Sequence, residues 1–330
     1  MFKVWTEREL PADLAAEFDG LATIVGPPPE DPAERYRDLP GAHAIVAAGG
    51  TFGADVLDRS SEMLVVSRTG IGYDKVDVEA ASARHIAVCN TPDGPTISTA
   101  EFALALLLAT AKKLKLAEGQ LRRFPDGRDF YKEHDAIELY GLTLGLVGLG
   151  RIGRHVGKVA LAMGMKVVAY DPFVSAKAAA QLGIESIPSL DDLLGRADVV
   201  SLHLPLTADT RHLISAEKLA LMKPGALFIN ASRGGLVDEP ALIAALEAGR
   251  LGGVGLDVTD PEPPLPINPM LAREDVVLTP HVGSATAAGK HRILSATVAN
   301  IVSVLKGELP QDMVNFAIWP DVQRRWAAMR

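Results

Sequence analysis

Short apolar runs bounded by turn residues alternate with helical patterns along almost the whole chain, and this alternation most narrows the folds open to it. Parallel strands need a crossover of a dozen or more residues between them, usually a helix, and strands covered on both faces read as continuous aliphatic runs. The spacing predicts strands near 3–5, 23–25, 44–47, 64–67 and 87–89, with helices between them. The rhythm restarts at Leu142 and runs to about Thr279. Together these features predict an α/β protein built on doubly wound parallel sheets.

Two long helices interrupt the pattern. One is predicted over 98–117, opening on Ser98, Thr99 and Glu101 in a capping arrangement, and the other runs from about 285 to 306. They flank one α/β block, which implies a discontinuous architecture, and 330 residues suffice for two cores. The expected domains are 1–98 with 287–330, and 99–286. The segment "RRFPDGRDFYKEHDAIELYG" (122–141) breaks the rhythm and reads as an arm near a site or a subunit interface. "GPPPEDP" (26–32) is a turn between units of one domain.

Composition removes several functions. A net charge of −8 argues against nucleic acid as a partner, since phosphate binding needs a basic surface. The single cysteine, Cys89, excludes an intrachain disulfide, fits a reducing compartment and ends a short strand, so a buried structural thiol is expected. No Cys/His cluster has metal-ligand spacing, so no metal is expected. "FALALLLATA" (102–111) is about half the length that spans a bilayer, and the N-terminus lacks a signal-like stretch. The expectation is a cytoplasmic protein with no membrane partner.

The chemistry begins at "GLTLGLVGLGRIGRHVG" (141–157), where Gly148-Leu149-Gly150-Arg151-Ile152-Gly153 joins a predicted strand, 144–147, to a predicted helix, 151–163. The match to G-x-G-x-x-G is weak alone and gains force from that context. Gly148 permits the tight turn, Gly150 lets the backbone approach a pyrophosphate, and Gly153 lets the helix pack on the strand. The helix N-terminus offers amides and a positive dipole end to phosphates. The next strand ends at Asp171, whose carboxylate can accept ribose hydroxyls and repel a 2′-phosphate. NAD is therefore expected rather than NADP, the bland alternative for Asp171 being a cap before Pro172.

Three further strand ends carry reactive groups. Arg233 follows "LFINAS"; "GGVGLDV" (252–258) leads to Asp257, Asp260 and Glu262; and "DVVLTP" (275–280) delivers His281, then Gly283. Taken alone, Arg233 would be a loop arginine paired with a carboxylate. Ligands of open α/β sheets bind outside the carboxyl ends of strands, so these groups should share the edge of the glycine turn.

With "HLPLT", "INASRGGLVDE", "GLDV", "PEP" and "LTPHVGSAT" in order after the glycine turn, and "SRTGIGYDKVD" and "NTPDGPTISTAEFALALLL" before it, the whole chain resembles the D-isomer-specific 2-hydroxyacid dehydrogenases. The resemblance implies two Rossmann-like domains, with NAD on 99–286, a flavodoxin-like substrate domain, and the active site in the cleft between them. It implies a catalytic set of Arg233, Glu262 and His281. Arg233 would grip the substrate carboxylate, His281 would carry the proton, and Glu262 would orient its ring and favour its charged form. The amides of Gly70, Ile71 and Gly72 would hold the carboxylate from the other domain. Cofactor contacts would fall on Gly148, Gly150, Arg151, Ile152, Gly153, Asp171, His203, Leu204, Pro205, Ala231, Asp257, His281 and Gly283, with Asp257 at the nicotinamide carboxamide. A homodimer joined through the helix 98–117 and the arm is implied as well. His203 is the rival to His281, and Asp260 the rival to Glu262.

Departures from the family bear on substrate. The loop "AAGGTFG" (47–53) has no basic residue, whereas relatives acting on phosphorylated substrates such as 3-phosphoglycerate can carry one there. The sequence also ends without the regulatory domain many of those enzymes append. Thr259 stands where an aromatic is common, and the arm around 124–131 lacks the usual tryptophan. Glu262 argues against a formate dehydrogenase, whose counterpart is glutamine. The expected substrate is a small unphosphorylated 2-oxo acid, glyoxylate or hydroxypyruvate; the alternatives are a phosphoglycerate dehydrogenase-like enzyme and an NADH-sensing corepressor-type binding protein.

Overall fold

A computed structural model describes residues 1–124 and 129–330, so part of the arm expected near a site or a subunit interface, 125–128, lies outside the described residues. The chain divides into two units, Met1–Pro95 with Thr286–Arg330, and Thr96–Ala285. Each crossing falls one to three residues earlier than the expected 98/99 and 286/287, where a helix starts: Thr96 is the first residue of one, and Thr286 caps the other.

The first unit is a five-stranded parallel sheet of β1 (Phe2–Thr6), β2 (Ala22–Val25), β3 (Ala44–Ala47), β4 (Val65–Arg68) and β5 (Ala87–Cys89), ordered β2-β1-β3-β4-β5. Period-two alternation sends Ala44 and Val46 to one face and Ile45 and Ala47 to the other, and all four are buried. The first face is covered by the helix Ala287–Lys306 through Leu294, Val298, Ile301 and Leu305, which recur at helical spacing. Each fully buried aliphatic side chain of this kind contributes about 1.5–3 kcal/mol. That helix opens with Thr286 Oγ1 accepting from the Gly289 amide at 2.9 Å and closes at Gly307, φ +78°. Cys89 is buried in the same core, and burial pushes its thiol pKa up, as expected of a structural cysteine.

The second unit holds seven parallel strands: β6 (Thr143–Val147), β7 (Lys166–Tyr170), β8 (Glu185–Ser186), β9 (Val199–Leu202), β10 (Ala226–Asn230), β11 (Leu251–Leu256) and β12 (Val276–Leu278). Their order is β12-β11-β10-β9-β6-β7-β8. The helix Thr96–Ala111 packs on this sheet, burying Ala103, Leu104, Leu106 and Leu107 against Leu144, Leu146, Leu227 and Ile229. Its approach is close because β11 is rich in glycine: a Cβ on Gly253 would lie 2.8 Å from Thr110 Cγ2, and one on Gly255 the same distance from Thr110 Oγ1.

The single helix expected over 98–117 is two, Thr96–Ala111 and Leu114–Arg123, broken at Lys113, φ +49°. The cause is distant in sequence. The Ile137 amide donates to the Ala111 carbonyl at 2.8 Å, taking an acceptor that a continuing helix would use, and Lys112 Nζ donates to the Ile137 carbonyl. Among the described residues no helix is long and apolar enough to cross a membrane, and no cluster of His, Cys, Asp and Glu could hold a metal ion.

Candidate active site

Because all strands of the second sheet are parallel, the carboxyl ends of β6, β9, β10, β11 and β12 share one edge, and these ends lead to Gly148, His203, Arg233, Asp257 and His281. Strand order reverses between β6 and β9, the switch point where such sheets take ligands.

At β6 the three glycines do different work. Gly148 adopts φ +100°, and a Cβ there would lie 2.6 Å from the His203 carbonyl oxygen; one on Gly153 would lie 2.3 Å from that of Gly148. These two residues let the turn, β9 and the helix Arg151–Ala162 close on one another. A Cβ on Gly150 would meet nothing within 4 Å, so this side of the turn is open. The twelve-residue helix begins there, with first-turn amides that have no acceptor within the helix. Arg151 is exposed and Ile152 packs on the core. An open glycine face at a helix N-terminus fits the pyrophosphate of a dinucleotide.

Asp171, just past β7, accepts from the Leu149 amide at 2.8 Å through Oδ2 and from the Phe173 amide at 2.9 Å through Oδ1. The capping alternative is thus present, and the carboxylate also braces the glycine turn. Leu204 reaches the rear of that turn, Pro205 accepts from Thr210 Oγ1 at 2.8 Å, and Ala231 is half-buried against the core.

Arg233 is positioned by a clamp. The buried Asn230, last residue of β10, accepts from the Ser232 amide at 2.9 Å and donates to the Arg233 carbonyl at 2.8 Å. Ser232 Oγ donates to the Leu202 carbonyl at 2.7 Å, tying this turn to β9. Gly234 then passes so close to the next loop that a Cβ would lie 2.0 Å from the Thr259 oxygen. The arginine is half-buried, and its Nη1 donates to the Ser232 carbonyl.

Beyond β11 the two candidate carboxylates separate. Asp260 lies 3.4 Å from Arg211, and its amide donates to Glu239. Glu262 Oε1 lies 2.6 Å from His281 Nδ1, with both side chains about two-fifths exposed. His281 has φ +53°, a conformation that costs a non-glycine residue about 1–2 kcal/mol. The surrounding loop holds it. Asp257, buried, accepts from Thr279 Oγ1 at 2.7 Å, the Val282 amide at 2.9 Å and the Gly283 amide at 2.7 Å, and its own carbonyl accepts from the His281 amide at 2.8 Å. Residue reading missed this positioning role of Asp257, as it missed Asn230 and Ser232; Thr279 and Gly283, two residues either side of His281, were the available signals.

His203 differs from His281 in kind. It is half-buried behind the glycine turn, its Nε2 lies 3.0 Å from Ser201 Oγ, and burial pushes its pKa down to about 4. It is neutral at pH 7 and packs against the turn. His43, His134 and His291 are engaged elsewhere, with the Lys3 amide, the Lys112 carbonyl and Asp13.

In the first unit, the loop after β4 carries the remaining expected residues. Gly70 adopts φ +137°, and its amide donates to Thr91 Oγ1 at 2.9 Å and to the Arg68 carbonyl at 3.1 Å. The Ile71 and Gly72 amides have no acceptor among the described residues. Two of the three expected amides are therefore available.

Residues 104–283, more than half of the chain, match the family described as D-isomer specific 2-hydroxyacid dehydrogenase, NAD binding domain. The chain is 45% identical over 312 residues to a D-3-phosphoglycerate dehydrogenase of Mycobacterium bovis, covering 94% of this chain and 58% of that protein. It is 40% identical over 266 residues to a glyoxylate reductase of Korarchaeum cryptofilum, covering 79% of each. The chain thus spans little more than half the length of the phosphoglycerate dehydrogenases it matches. Among solved structures, D-lactate dehydrogenase from Aquifex aeolicus, complexed with NAD and lactic acid, superposes with a TM-score of 0.81 at 30% identity, covering 94% of this chain and 98% of that one. With the open glycine turn and the His281–Glu262 pair on one sheet edge, these matches identify the chain as a member of the D-isomer-specific 2-hydroxyacid dehydrogenase family, its second unit an NAD-binding domain.

Proposed function

We propose that the chain is an NAD-dependent dehydrogenase that interconverts a small unphosphorylated 2-oxo acid, of the glyoxylate or hydroxypyruvate type, and the corresponding D-2-hydroxy acid. The observation that carries this reading is the 2.6 Å contact of His281 Nδ1 with Glu262, on the sheet edge that also presents Arg233. Gly148, Gly150, Gly153 and the amides of Arg151 and Ile152 hold the pyrophosphate, and Asp171 holds the adenosine ribose. His203, Leu204, Pro205, Ala231, Asp257 and Gly283 flank the cofactor. Bound NAD supplies or accepts the hydride.

The chain's own residues do the rest. Arg233 takes the substrate carboxylate in a two-pronged grip and polarises the neighbouring carbonyl. In the first unit, the Ile71 and Gly72 amides are the donors offered to a substrate carboxylate. His281 Nε2, the ring nitrogen opposite the Glu262 contact, protonates the oxo oxygen during reduction and takes the proton back during oxidation. Glu262 holds the ring in orientation and opposes its positive charge, and Asp257 fixes the loop beneath it. The functional unit is a homodimer, a reading supported by the exposure of Leu114, Leu121, Phe124 and Tyr131 along the second helix and the arm. Light scattering at the monomer mass would remove that part.

The test of the activity is to follow NADH absorbance with a panel of 2-oxo acids. Loss of NADH with glyoxylate or hydroxypyruvate is expected. Tight NADH binding without turnover of any acid would replace the enzyme with a sensor of the corepressor type.

A further inference from the structure

Asn90, which opens the "NTP" that follows β5, reaches the turn whose amides are offered to a substrate carboxylate. Three successive carbonyls of that turn are taken. Gly70 accepts from the Thr91 amide at 3.0 Å, Ile71 from Asn90 Nδ2 at 2.8 Å, and Gly72 from Arg68 Nε at 3.1 Å. The peptides here are trans, and a planar trans unit points its N–H opposite its C=O. Holding the Gly70 carbonyl therefore sets the direction of the Ile71 amide, and holding the Ile71 carbonyl sets that of the Gly72 amide.

The two amides are not held alike. The Gly70–Ile71 unit is held by main chain, through the buried Thr91, whereas the Ile71–Gly72 unit is held by one side chain. With its neighbours pinned by Thr91 and Arg68, the freedom left to this unit is a crankshaft rotation about its own ends. Gly72 has no Cβ to forbid the turned-over state, so the backbone alone leaves both orientations open. Turned over, the unit would present a carbonyl oxygen to the carboxylate in place of an N–H. Asn90 is itself fixed against following such a rotation. Its amide donates to the Asp312 carbonyl at 3.2 Å, and its carbonyl accepts from Nδ2 of the buried Asn300 at 3.1 Å. Asn300 Oδ1 accepts in turn from the Asp312 amide at 3.3 Å.

We propose that Asn90 is a positioning residue, whose side-chain amide holds the Ile71 carbonyl so that the Gly72 N–H faces the substrate carboxylate. This rests on the dehydrogenase reading above and deepens it: Asn90 acts through the Gly72 amide rather than on the reacting atoms. A hydrogen bond to a charged group is among the stronger ones. Made equally in the ground and transition states, it shows in KM and leaves kcat alone.

The experiment compares the full chain with Asn90→Ala and Asn90→Asp. It measures steady-state kinetics with glyoxylate and hydroxypyruvate, and the calorimetric affinity of the NADH complex for oxamate, an unreactive mimic of a 2-oxo acid. In Asn90→Ala the KM for the acid should rise about tenfold or more, with kcat changed less than about threefold and the KM for NADH unmoved. Oxamate affinity should fall by the same factor. Asn90→Asp should be worse than Asn90→Ala, because a carboxylate repels the Ile71 oxygen and draws the Gly72 amide to itself. An asparagine that only stabilises the fold would lower the melting temperature and leave the acid's KM alone, or move both KM values together; either result overturns the proposal. So does an Asn90→Asp protein that binds the acid better than Asn90→Ala, or the failure of both variants to fold. Where one variant folds, its KM values decide. A wild type that binds oxamate but reduces no acid defeats the dehydrogenase reading, and the oxamate affinities then decide on Asn90 by themselves. A wild type that neither binds oxamate nor reduces an acid overturns both.

Discussion

The loop after β3 and the turn after β6 are built alike, each a glycine-bearing connection at the carboxyl end of a parallel strand. One is closed and the other open. In the first, the Ala48 and Gly50 amides donate to Glu7, and Gly50 exists to let that carboxylate in. In the second, Gly148 and Gly153 accommodate the chain's own backbone, while the space over Gly150 is clear. Glycine count does not separate a binding loop from a filled one. The acceptor of each amide does: Glu7 takes the amides of the first loop, and Asp171 braces the second turn from behind through the Leu149 amide.

The comparison would break most visibly if the open edge of the second sheet were not the reacting edge. Arg233→Ala removes a charged donor held in place by Asn230 and Ser232, and turnover should fall on the order of 10²-fold or more. Steady-state kinetics with NADH and the preferred 2-oxo acid measure it, and an unchanged kcat would take Arg233 out of the site.

A middle-sized effect tests whether a bracing carboxylate also recognises ligand. Asp171→Ala strips an acceptor from the Leu149 and Phe173 amides, which should cost about 1 kcal/mol of stability for each hydrogen bond lost. It should also relax the preference for NAD over NADP by roughly tenfold, the equivalent of about 1.4 kcal/mol in differential binding. Paired kcat/KM values for the two cofactors and a melting curve separate the outcomes. A lowered melting temperature with an unmoved cofactor ratio would leave Asp171 a brace only.

Much of this was legible in the residues because it is local or strictly ordered. The strands of both sheets follow from uninterrupted aliphatic runs, and the glycine turn from its place between a strand and a helix. What escaped depends on partners distant in sequence. Nothing in "KKLKL" (112–116) announces a break at Lys113, because the break is made by Ile137 returning to cap Ala111. The carboxylates Asp260 and Glu262 are two residues apart, and it takes Arg211 and Glu239 to draw the first aside. Gly70 loses its amide to Thr91, twenty-one residues on. Glu7 belongs to no motif, and the paired glycines at 49 and 50 were its one trace.

A pH dependence of stability tests the comparison from behind the glycine turn. His203 packs behind the glycine turn, where burial lowers its pKa from an ordinary 6.5 to about 4. The unfolded chain therefore binds a proton at this residue at a higher pH than the folded one. The stabilisation from keeping it neutral is fully present above pH 6.5 and is lost as pH falls from there toward about 4. At 1.36 kcal/mol per pKa unit, the loss over that window is about 3 kcal/mol. Urea unfolding of wild type and His203→Gln at pH 7 and at pH 4.5 isolates it, since the other titrating groups are common to both proteins. The wild type should lose more stability between the two pH values, by about 2–3 kcal/mol. Parallel losses would mean that burial behind the glycine turn does not keep the His203 ring neutral.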